Sequence, residues 1–186
     1  MKKTPGNIRI IGGTHRSRKF GIIDAPDLRP TTDRIRETLF NWLYGHIGGA
    51  TVLDLYAGSG ALGFEAASRG ANKVVSVEKN YAVYRQLCSN QQTLELQNMQ
   101  CLNTTAEKFL KDTELCFDLV FLDPPFNADA IDAISAIIAP FVKAGGLLYR
   151  EYSIKQAVTS LDTNQWHLKK SKKAGQVRFE LWEKNE

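Results

Sequence analysis

The sequence has 186 residues, of which 43% are hydrophobic and 24% are charged. This length and composition predict one globular domain with at most a short extension, and they exclude a disordered or fibrous chain. No stretch approaches the roughly 18 uncharged apolar residues of a membrane span, and no apolar run follows the first two lysines as a signal peptide requires. We therefore expect a cytoplasmic protein. The three cysteines form no CxxC pair, so we expect no metal site.

The charge is unevenly distributed along the chain. The whole sequence carries a formal net charge of +4, but residues 1–36 carry +6, residues 165–186 carry +3, and the middle carries −5. Basic ends indicate a polyanionic partner. Because no amphipathic helical period accompanies these charges, nucleic acid is favoured over a membrane surface. A solvated basic arm without a partner is the alternative.

The N-terminal part predicts a small basic hairpin and then a helix. Runs 7–11 and 16–23 are typical of two short strands, and we expect residues 1–30 to form an extension separate from a domain of residues 31–186. Thr31, Thr32 and Asp33 supply a helix start. Apolar residues then recur at helical spacing as far as Gly45, with Arg34 and Arg36 off the apolar stripe.

From residue 51 onward, apolar runs of strand length alternate with helical segments. Strands are predicted over 52–55, 73–77, 99–103, 119–122 and 146–149. Helices are predicted over 61–68, 81–94, 106–111 and 128–141, and a further helix over 154–161. Strand-like runs over 166–170 and 176–182 predict a closing antiparallel hairpin. The alternation predicts an α/β fold, with a parallel sheet covered by helices on both faces.

A glycine-rich turn follows the first strand of this pattern. Gly58, Gly60 and Gly63 match G-x-G-x-x-G between a predicted strand and a predicted helix, and Glu78 ends the next strand. Glycines let the backbone approach a ligand closely, and an acid at this place accepts hydrogen bonds from ribose hydroxyls. The turn therefore indicates a cofactor that contains adenosine.

The acid before this turn argues against a dinucleotide. Asp54 would repel a pyrophosphate, but it would attract a cationic group such as the ammonium of S-adenosylmethionine. The order Asp54-x-Tyr56-Ala57-Gly58-Ser59-Gly60 resembles the first motif of the class I S-adenosylmethionine methyltransferases.

A second motif, Asp123-Pro124-Pro125-Phe126, follows the strand predicted over 119–122. Proline cannot continue a central strand, so the motif lies at the carboxyl edge of the sheet, where ligands bind. An exocyclic base amine is a poor nucleophile because its lone pair is delocalised. The Asp123 carboxylate and the Pro124 carbonyl would accept its two N–H bonds, and Phe126 would stack on the base for roughly 1–3 kcal/mol. Such catalysis is positioning and charge stabilisation, without metal or covalent nucleophile. The motif resembles [DNS]-P-P-[FYW] of the methyltransferases that act on exocyclic amines.

Residues 9–13, 16–18, 28–41 and 175–179 resemble the bacterial RsmD family, which methylates N2 of a guanine in small-subunit ribosomal RNA. The resemblance covers nearly the whole chain, and Arg-Pro-Thr-x-x-Arg-x-Arg-Glu over 29–37 is its most specific part. Arg16-Ser17-Arg18 departs from the family's usual Arg-Gly-Arg. The resemblance implies a Rossmann-like class I methyltransferase fold with a mostly parallel seven-stranded sheet and an N-terminal hairpin. It implies S-adenosylmethionine as cofactor, and 16S rRNA in an assembled or partly assembled small subunit as partner of a cytoplasmic monomer.

The same resemblance, with the motifs, assigns roles to individual residues. The residues expected at the cofactor are Asp54, Tyr56, Gly58, Ser59, Gly60, Glu78, Lys79, Ala106, Glu107 and Asp123. The residues expected to carry catalysis are Asp123, Pro124, Pro125 and Phe126. The residues expected to bind RNA are Arg9, His15, Arg16, Arg18, Lys19, Arg29, Arg34 and Arg36. Each of these roles has an alternative. Arg34 and Arg36 would lie on a solvated helix surface, and His15 would be a plain loop histidine. The pair Ala106–Glu107 would be an ordinary helix start. Asn103 and Glu151 receive no role.

Three other functions compete with guanine-N2 methylation. An adenine-N6 methyltransferase of DNA or RNA shares the proline motif but usually has a target-recognition domain, for which this chain is short. An NAD-dependent oxidoreductase would explain the glycine turn and leave Asp123–Phe126 without a role. A noncatalytic RNA-binding protein of ribosome assembly would tolerate Asp123→Ala. The target nucleotide, and whether naked RNA or a protein-bound particle is the substrate, stay open.

Overall fold

The computed structural model describes residues 6–23, 31–125 and 128–186. Arg29 and Phe126, for which the sequence predicts RNA contact and base stacking, lie outside these ranges. In chain order the elements are β1 (Asn7–Arg9), β2 (Lys19–Gly21), α1 (Asp33–Trp42), β3 (Thr51–Asp54), α2 (Ala61–Ser68), β4 (Lys73–Val77), α3 (Tyr81–Leu94), β5 (Met99–Leu102), α4 (Ala106–Asp112), β6 (Phe117–Leu122), α5 (Ala128–Ile137), β7 (Val142–Ser153), β8 (Trp166–Ala174) and β9 (Val177–Lys184). In the described ranges no helix is both long and apolar enough to cross a membrane.

The main sheet has seven strands in the order β5-β4-β3-β6-β7-β9-β8. Strands β3 to β7 run parallel, and β9 pairs antiparallel with both β7 and β8. The chain leaves β3 in one direction for β4 and β5, and then returns to the other side of β3 for β6 and β7. This reversal opens a crevice at the carboxyl ends of the central strands, where ligands of such sheets bind. The expected mostly parallel seven-stranded sheet is confirmed.

The helix boundaries follow from local chemistry. Helix α1 begins after Thr32, whose hydroxyl accepts a hydrogen bond from the backbone N–H of Ile35 at 3.5 Å. Helix α3 begins after Asn80, whose side chain accepts from two backbone N–H groups of the first turn. Helix α5 ends at Ile137, four residues earlier than predicted. Pro140 lacks an N–H to donate and lies in a short 3-10 helix, Ala139–Phe141.

The N-terminal hairpin shares a core with the main sheet. The core on one face of the sheet contains Ile10 and Phe20 of the hairpin region together with Leu39 of α1 and Phe64 of α2. The rings of Phe20 and Phe64 lie 4.7 Å apart, edge to face. The opposite face is covered by α4 and α5. The division of the chain at residue 30 stays a prediction.

A buried arginine holds the hairpin against the helices. Arg36 has no exposed surface; its Nη2 donates to the backbone carbonyl of Arg9 at 2.9 Å and to Asp33 at 2.6 Å. Its Nη1 lies 3.7 Å from the fully buried carboxylate of Glu65, which also accepts from the backbone N–H groups of Ile11 and Gly12. The prediction that Arg36 faces RNA is therefore wrong, because its guanidinium is enclosed among these groups.

The helix predicted over 154–161 is absent, and an irregular segment takes its place. Strand β7 runs on to Ser153, well beyond the predicted end. The backbone groups of Thr159 then bond to side chains: its N–H donates to Asp132 at 3.0 Å, and its carbonyl accepts from Arg150 at 3.1 Å. These bonds satisfy the backbone N–H and carbonyl of Thr159 without a helix. The antiparallel hairpin β8–β9 is confirmed.

Candidate functional site

A cleft of about 1530 Å³ opens at the carboxyl ends of the parallel strands. Its walls come from the glycine turn after β3, the end of β4, the start of α4 and the proline motif after β6. The start of α1 and the tip of the β8–β9 hairpin complete it. The topology therefore brings the two sequence motifs, which lie about 65 residues apart in the chain, to one site.

The glycine turn requires its glycines. Gly60 has φ +82°, and a Cβ there would lie 2.4 Å from the ring of Phe64. Gly58 also has positive φ, +49°. A Cβ on Gly63 would lie 2.7 Å from the Ser76 hydroxyl. The first two positions let the backbone turn at the cleft, and the third lets α2 pack closely on the sheet.

Asp54 lies at the floor of the cleft and is only 2% exposed. Its Oδ2 accepts a hydrogen bond from the backbone N–H of Gly63 at 3.0 Å. Burial raises the pKa of this carboxyl to about 7; the bond from Gly63 lowers it, and the charge of Glu78 raises it further. A carboxylate that is so costly to ionise gains much from a bound cation. That Asp54 meets the ammonium of a cofactor stays a prediction.

Glu78 ties the end of β4 to the glycine turn. Its Oε2 accepts from the backbone N–H of Gly58 at 3.0 Å, and its Oε1 accepts from the N–H of Asn80 at 2.7 Å. The half-buried carboxylate lines the cleft next to the exposed Lys79. Glu78 therefore fixes the shape of the turn as well as facing the ligand space.

Tyr56 carries a polar atom that fits a ligand. The residue lines the cleft, and its buried hydroxyl has no hydrogen-bond partner among the described residues. Burial and the nearby charge of Glu107 raise its pKa. Buried polar groups normally have partners, so this hydroxyl points to a bound molecule. Together with the Asp54 carboxylate and the glycine turn, it fits S-adenosylmethionine, whose edges Ala106 and Glu107 of α4 would also meet from the cleft wall.

The proline motif begins directly after β6. Asp123 is half-buried, Pro124 is buried and Pro125 is exposed, and all three line the cleft. Burial raises the pKa of the Asp123 carboxyl well above its usual range, and the charge of Glu151 raises it further; a hydrogen bond from Thr31 at 3.1 Å acts in the opposite direction. The motif thus places a carboxyl with unusual proton affinity at the carboxyl edge of the sheet.

Glu151 is a member of this site that the sequence reading left without a role. It is 5% exposed, lines the cleft, and accepts a hydrogen bond from the Tyr149 hydroxyl at 2.6 Å. Strands β6 and β7 pair in parallel up to Leu122 and Arg150, so Asp123 and Glu151 are the next residues of the two strands. An acidic residue aligned with Asp123 on the neighbouring strand was the sequence signal for Glu151, but it can be recognised only once the register of β6 and β7 is known.

The predicted RNA-binding residues are distributed around the cleft and the hairpin. Arg34 is exposed and lines the cleft. Arg18 donates to the carbonyls of Thr93 and Leu94 at 2.7 Å and 3.2 Å, while His15 lies at the end of α2, where its backbone N–H donates to Ser68. The other exposed basic side chains of this set are Arg9, Arg16 and Lys19. Their contact with RNA stays a prediction.

In the described residues no cluster of three or more His, Cys, Asp or Glu side chains is arranged to hold a metal ion.

The chain is similar to known proteins over nearly its whole length. Residues 8–183 match the family model described as Conserved hypothetical protein 95. The chain is 41% identical to the ribosomal RNA small subunit methyltransferase D of Escherichia coli strain K12, covering 96% of this chain and 91% of that protein. It is 39% identical to the protein of the same name from Haemophilus influenzae, covering 98% of this chain and 100% of that protein.

A solved structure from Escherichia coli, that of yhhF, is described as a methyltransferase. It superposes with a TM-score of 0.89 at 38% sequence identity, covering 97% of this chain and 99% of that chain. Sequence and fold therefore agree over nearly the whole length. The chain belongs to the Conserved hypothetical protein 95 family, together with the ribosomal RNA small subunit methyltransferases D of these bacteria.

Proposed function

We propose that this protein transfers a methyl group from S-adenosylmethionine to the exocyclic N2 amine of a guanine in 16S rRNA. The observation that carries the proposal is the shared cleft: Asp54 and the glycine turn line one part, and the Asp123–Pro124 turn lines another. The names of the relatives supply the substrate class, small-subunit ribosomal RNA.

The cofactor contacts follow from the charges of the cleft. S-adenosylmethionine, when bound, supplies a methyl group on a positively charged sulfur. The Asp54 carboxylate offers a counter-charge for the amino-acid ammonium, and Glu78 offers acceptors for ribose hydroxyls. The unpartnered Tyr56 hydroxyl gains a partner inside the cleft. Glu107 and Ala106 bound the side on which the adenine would lie.

The catalytic contribution of the chain is to position the target amine, to stabilise its positive charge and to accept its proton. The Asp123 carboxylate and the Pro124 carbonyl accept its two N–H bonds, which directs the nitrogen lone pair away from the ring and towards the methyl carbon. As the bond from nitrogen to the methyl carbon forms, the bond from that carbon to the cofactor sulfur would break and the sulfur would leave as a neutral thioether. The positive charge would then lie on the nitrogen, where the negative charge held by Asp123 and Glu151 would stabilise it. The raised pKa of Asp123 then suits it to accept the proton that the amine must lose.

We further propose that the substrate is the rRNA within an assembled or partly assembled small subunit, and that the protein acts as a cytoplasmic monomer. The exposed basic residues of the hairpin, with Arg34 at the cleft, would hold phosphates and orient the RNA without reading its sequence. The target nucleotide is then selected by the shape of the particle around it.

The test is to incubate the protein with methyl-labelled S-adenosylmethionine and small subunits from cells that lack the gene, and to identify the labelled nucleoside after digestion. We expect N2-methylguanosine, with the rate reduced at least 100-fold in Asp123→Ala. The matched control is Asp112→Ala, an exposed aspartate at the end of α4, which we expect to keep the wild-type rate. Label in N6-methyladenosine would overturn the guanine assignment. If none of the RNAs offered becomes labelled, the enzymatic proposal is overturned.

A further inference from the structure

The edge of the sheet farthest from β5 is a strongly basic strand. All side chains of β8 from His167 to Lys173 are exposed. Four of these residues are lysines, of which Lys169 pairs with Glu183 at 2.9 Å. Within the described ranges Lys170, Lys172 and Lys173 form no ion pair, so their charges are available to a partner.

Two of these lysines share a face of the sheet with the N-terminal hairpin. Lys170 lies opposite Leu181 and Lys172 lies opposite Phe179 in the β8–β9 pairing. Since opposite residues of an antiparallel pair point to the same face, both lysines are on the face to which Phe179 belongs. The ring of Phe179 stacks on Trp42 of α1 at 5.1 Å, and the same core contains the hairpin residues Ile10 and Phe20.

The basic strand leads into the cleft. Residues Lys173 to Val177, at the tip of the β8–β9 hairpin, line its wall. Lys172 and Lys170 follow outward along the strand at about 3.4 Å per residue. From β3, which carries the glycine turn, β8 is four strand intervals away, roughly 19 Å at the usual strand spacing.

The N-terminal hairpin packs on the same face of the sheet, over the strands farther from β8. The backbone N–H groups of Ile11 and Gly12 donate to Glu65 of α2, and Arg18 donates to the last residues of α3; these helices adjoin β3, β4 and β5. Arg34 of α1 lies between the two basic regions, at the cleft itself. Positive charge on this face therefore lies along β8 and at Arg34 beside the cleft, and continues on the hairpin, whose Arg18 lies at the end of α3 away from the cleft.

We propose that strand β8 is a second contact for the sugar-phosphate backbone of the substrate RNA, with Lys170 and Lys172 as its phosphate ligands. This inference rests on the proposed function. Unpaired lysines in a line that ends at the catalytic cleft complement a polyanion held there. RNA that contacts β8 would pass the tip of the β8–β9 hairpin and enter the cleft that Asp123 lines. The competing role of lysines on an edge strand is to prevent pairing with other sheets.

The test compares two double variants that remove the same charge. Lys170→Gln/Lys172→Gln alters the strand, and Lys108→Gln/Lys111→Gln removes two exposed lysines from α4, which covers the opposite face. Lys173 is left intact because it lines the cleft. Methylation of small ribosomal subunits is measured between 50 and 200 mM KCl, and the affinity for S-adenosylmethionine is measured by calorimetry to verify folding.

We expect the strand variant to raise the KM for subunits about 10-fold and to reduce the slope of log KM against log salt by about 1 to 2, because each phosphate contact contributes roughly 0.7 to 0.9. The α4 variant should match the wild type within twofold. A strand variant with wild-type KM and slope would overturn the inference, whether or not it self-associates. An equal loss in both variants would overturn it as well. Wild-type protein that methylates no RNA would defeat the proposed function itself.

Discussion

The hydroxyl of Thr31 lies 3.1 Å from Oδ2 of Asp123, a residue 92 positions later in the chain. The same hydroxyl is 3.4 Å from Oε2 of Glu151. It has a single proton, which it can donate to one carboxylate at a time. The start of α1 therefore governs how two neighbouring carboxyls at the cleft share charge and protons.

The first prediction concerns this hydroxyl. In Thr31→Val the hydrogen bond that lowers the pKa of Asp123 is lost, so more of the carboxyl is protonated at neutral pH. We expect kcat/KM at pH 7 to fall about 10-fold, since a hydrogen bond to a charged group contributes roughly 1.5–3 kcal/mol. The acid limb of the pH–rate profile should move to higher pH, and Thr31→Ser should restore it. A loss of the same size at every pH would contradict this role.

The second prediction concerns the affinity for S-adenosylmethionine. The pKa of Asp54 is about 7, and only the ionised form attracts an ammonium. Wild-type affinity should therefore decline as the pH falls below 7. In Asp54→Asn we expect affinity about 10- to 100-fold lower at pH 8 and nearly constant between pH 5 and 8. Isothermal calorimetry across this range provides the measurement, and a pH-dependent Asn variant would show that another group titrates.

The third prediction concerns stability without cofactor. The folded-state pKa of Asp54 lies above the value near 4 of an unfolded chain, so the folded protein holds this proton more tightly. The stability that this proton contributes is present below pH 4 and is lost as the pH rises to 7. Asp54→Asn removes the cost of the buried charge. We expect its free energy of unfolding to exceed the wild type by on the order of 2–4 kcal/mol at pH 8, and by less at pH 5. Urea unfolding of both proteins at both pH values tests this. The variant should be more stable than the wild type at pH 5 as well as at pH 8.

The fourth prediction concerns the attachment of the hairpin. Glu65→Gln leaves Arg36 with Asp33 as its remaining carboxylate partner and also removes the carboxylate that lies 2.7 Å from Arg69. Loss of one partner of a buried ion pair costs about 3–5 kcal/mol. We expect this loss of stability, with faster hydrogen exchange at the amides of Ile11 and Gly12, which donate to Glu65. Glu37→Gln, an exposed change on α1, is the control. Equal stability of the two variants would refute the structural role.

The fifth prediction concerns Ser17, which has φ +69°. A left-handed conformation costs a residue with Cβ about 1 kcal/mol or more relative to glycine. Because glycine also loses more entropy on folding, we expect Ser17→Gly to stabilise the protein by about 0.5–1 kcal/mol, and Ser17→Ala to give no gain. Thermal unfolding of the three proteins decides the matter. Lower stability of the glycine variant would mean that the serine side chain itself stabilises the turn.

The sequence predicted the alternation of strands and helices, because the strands and helices differ in the periodicity of their apolar residues. Thr32 caps the first turn of helix α1, and Asn80 caps the first turn of helix α3. The glycine turn and the proline motif are each formed by consecutive residues and can likewise be recognised in the sequence. Their meeting in one cleft follows from the topology of any parallel sheet, whose strands all end at one edge.

Features that depend on distant pairs were not predictable from local pattern. Arg36 has the appearance of a solvent-facing residue on a helix, and only the approach of Glu65, on another helix, explains its burial. Glu151 became a neighbour of Asp123 through the register of β6 and β7. The segment 154–161 has helical composition, but it forms no helix, and the side chains of Arg150 and Asp132 bond the backbone of Thr159 in it.

The position of β9 constrains the order in which the chain folds. This strand, Val177–Lys184, is later in sequence than β8 and yet lies between β7 and β8. Until the ribosome has released it, β7 is an open edge, with backbone groups able to pair with another chain. The Rossmann-like part of the sheet can assemble earlier during synthesis, whereas β8 has no place to pair before β9 arrives. Completion of the sheet is therefore a late step, and chains stalled before residue 177 should be prone to aggregation.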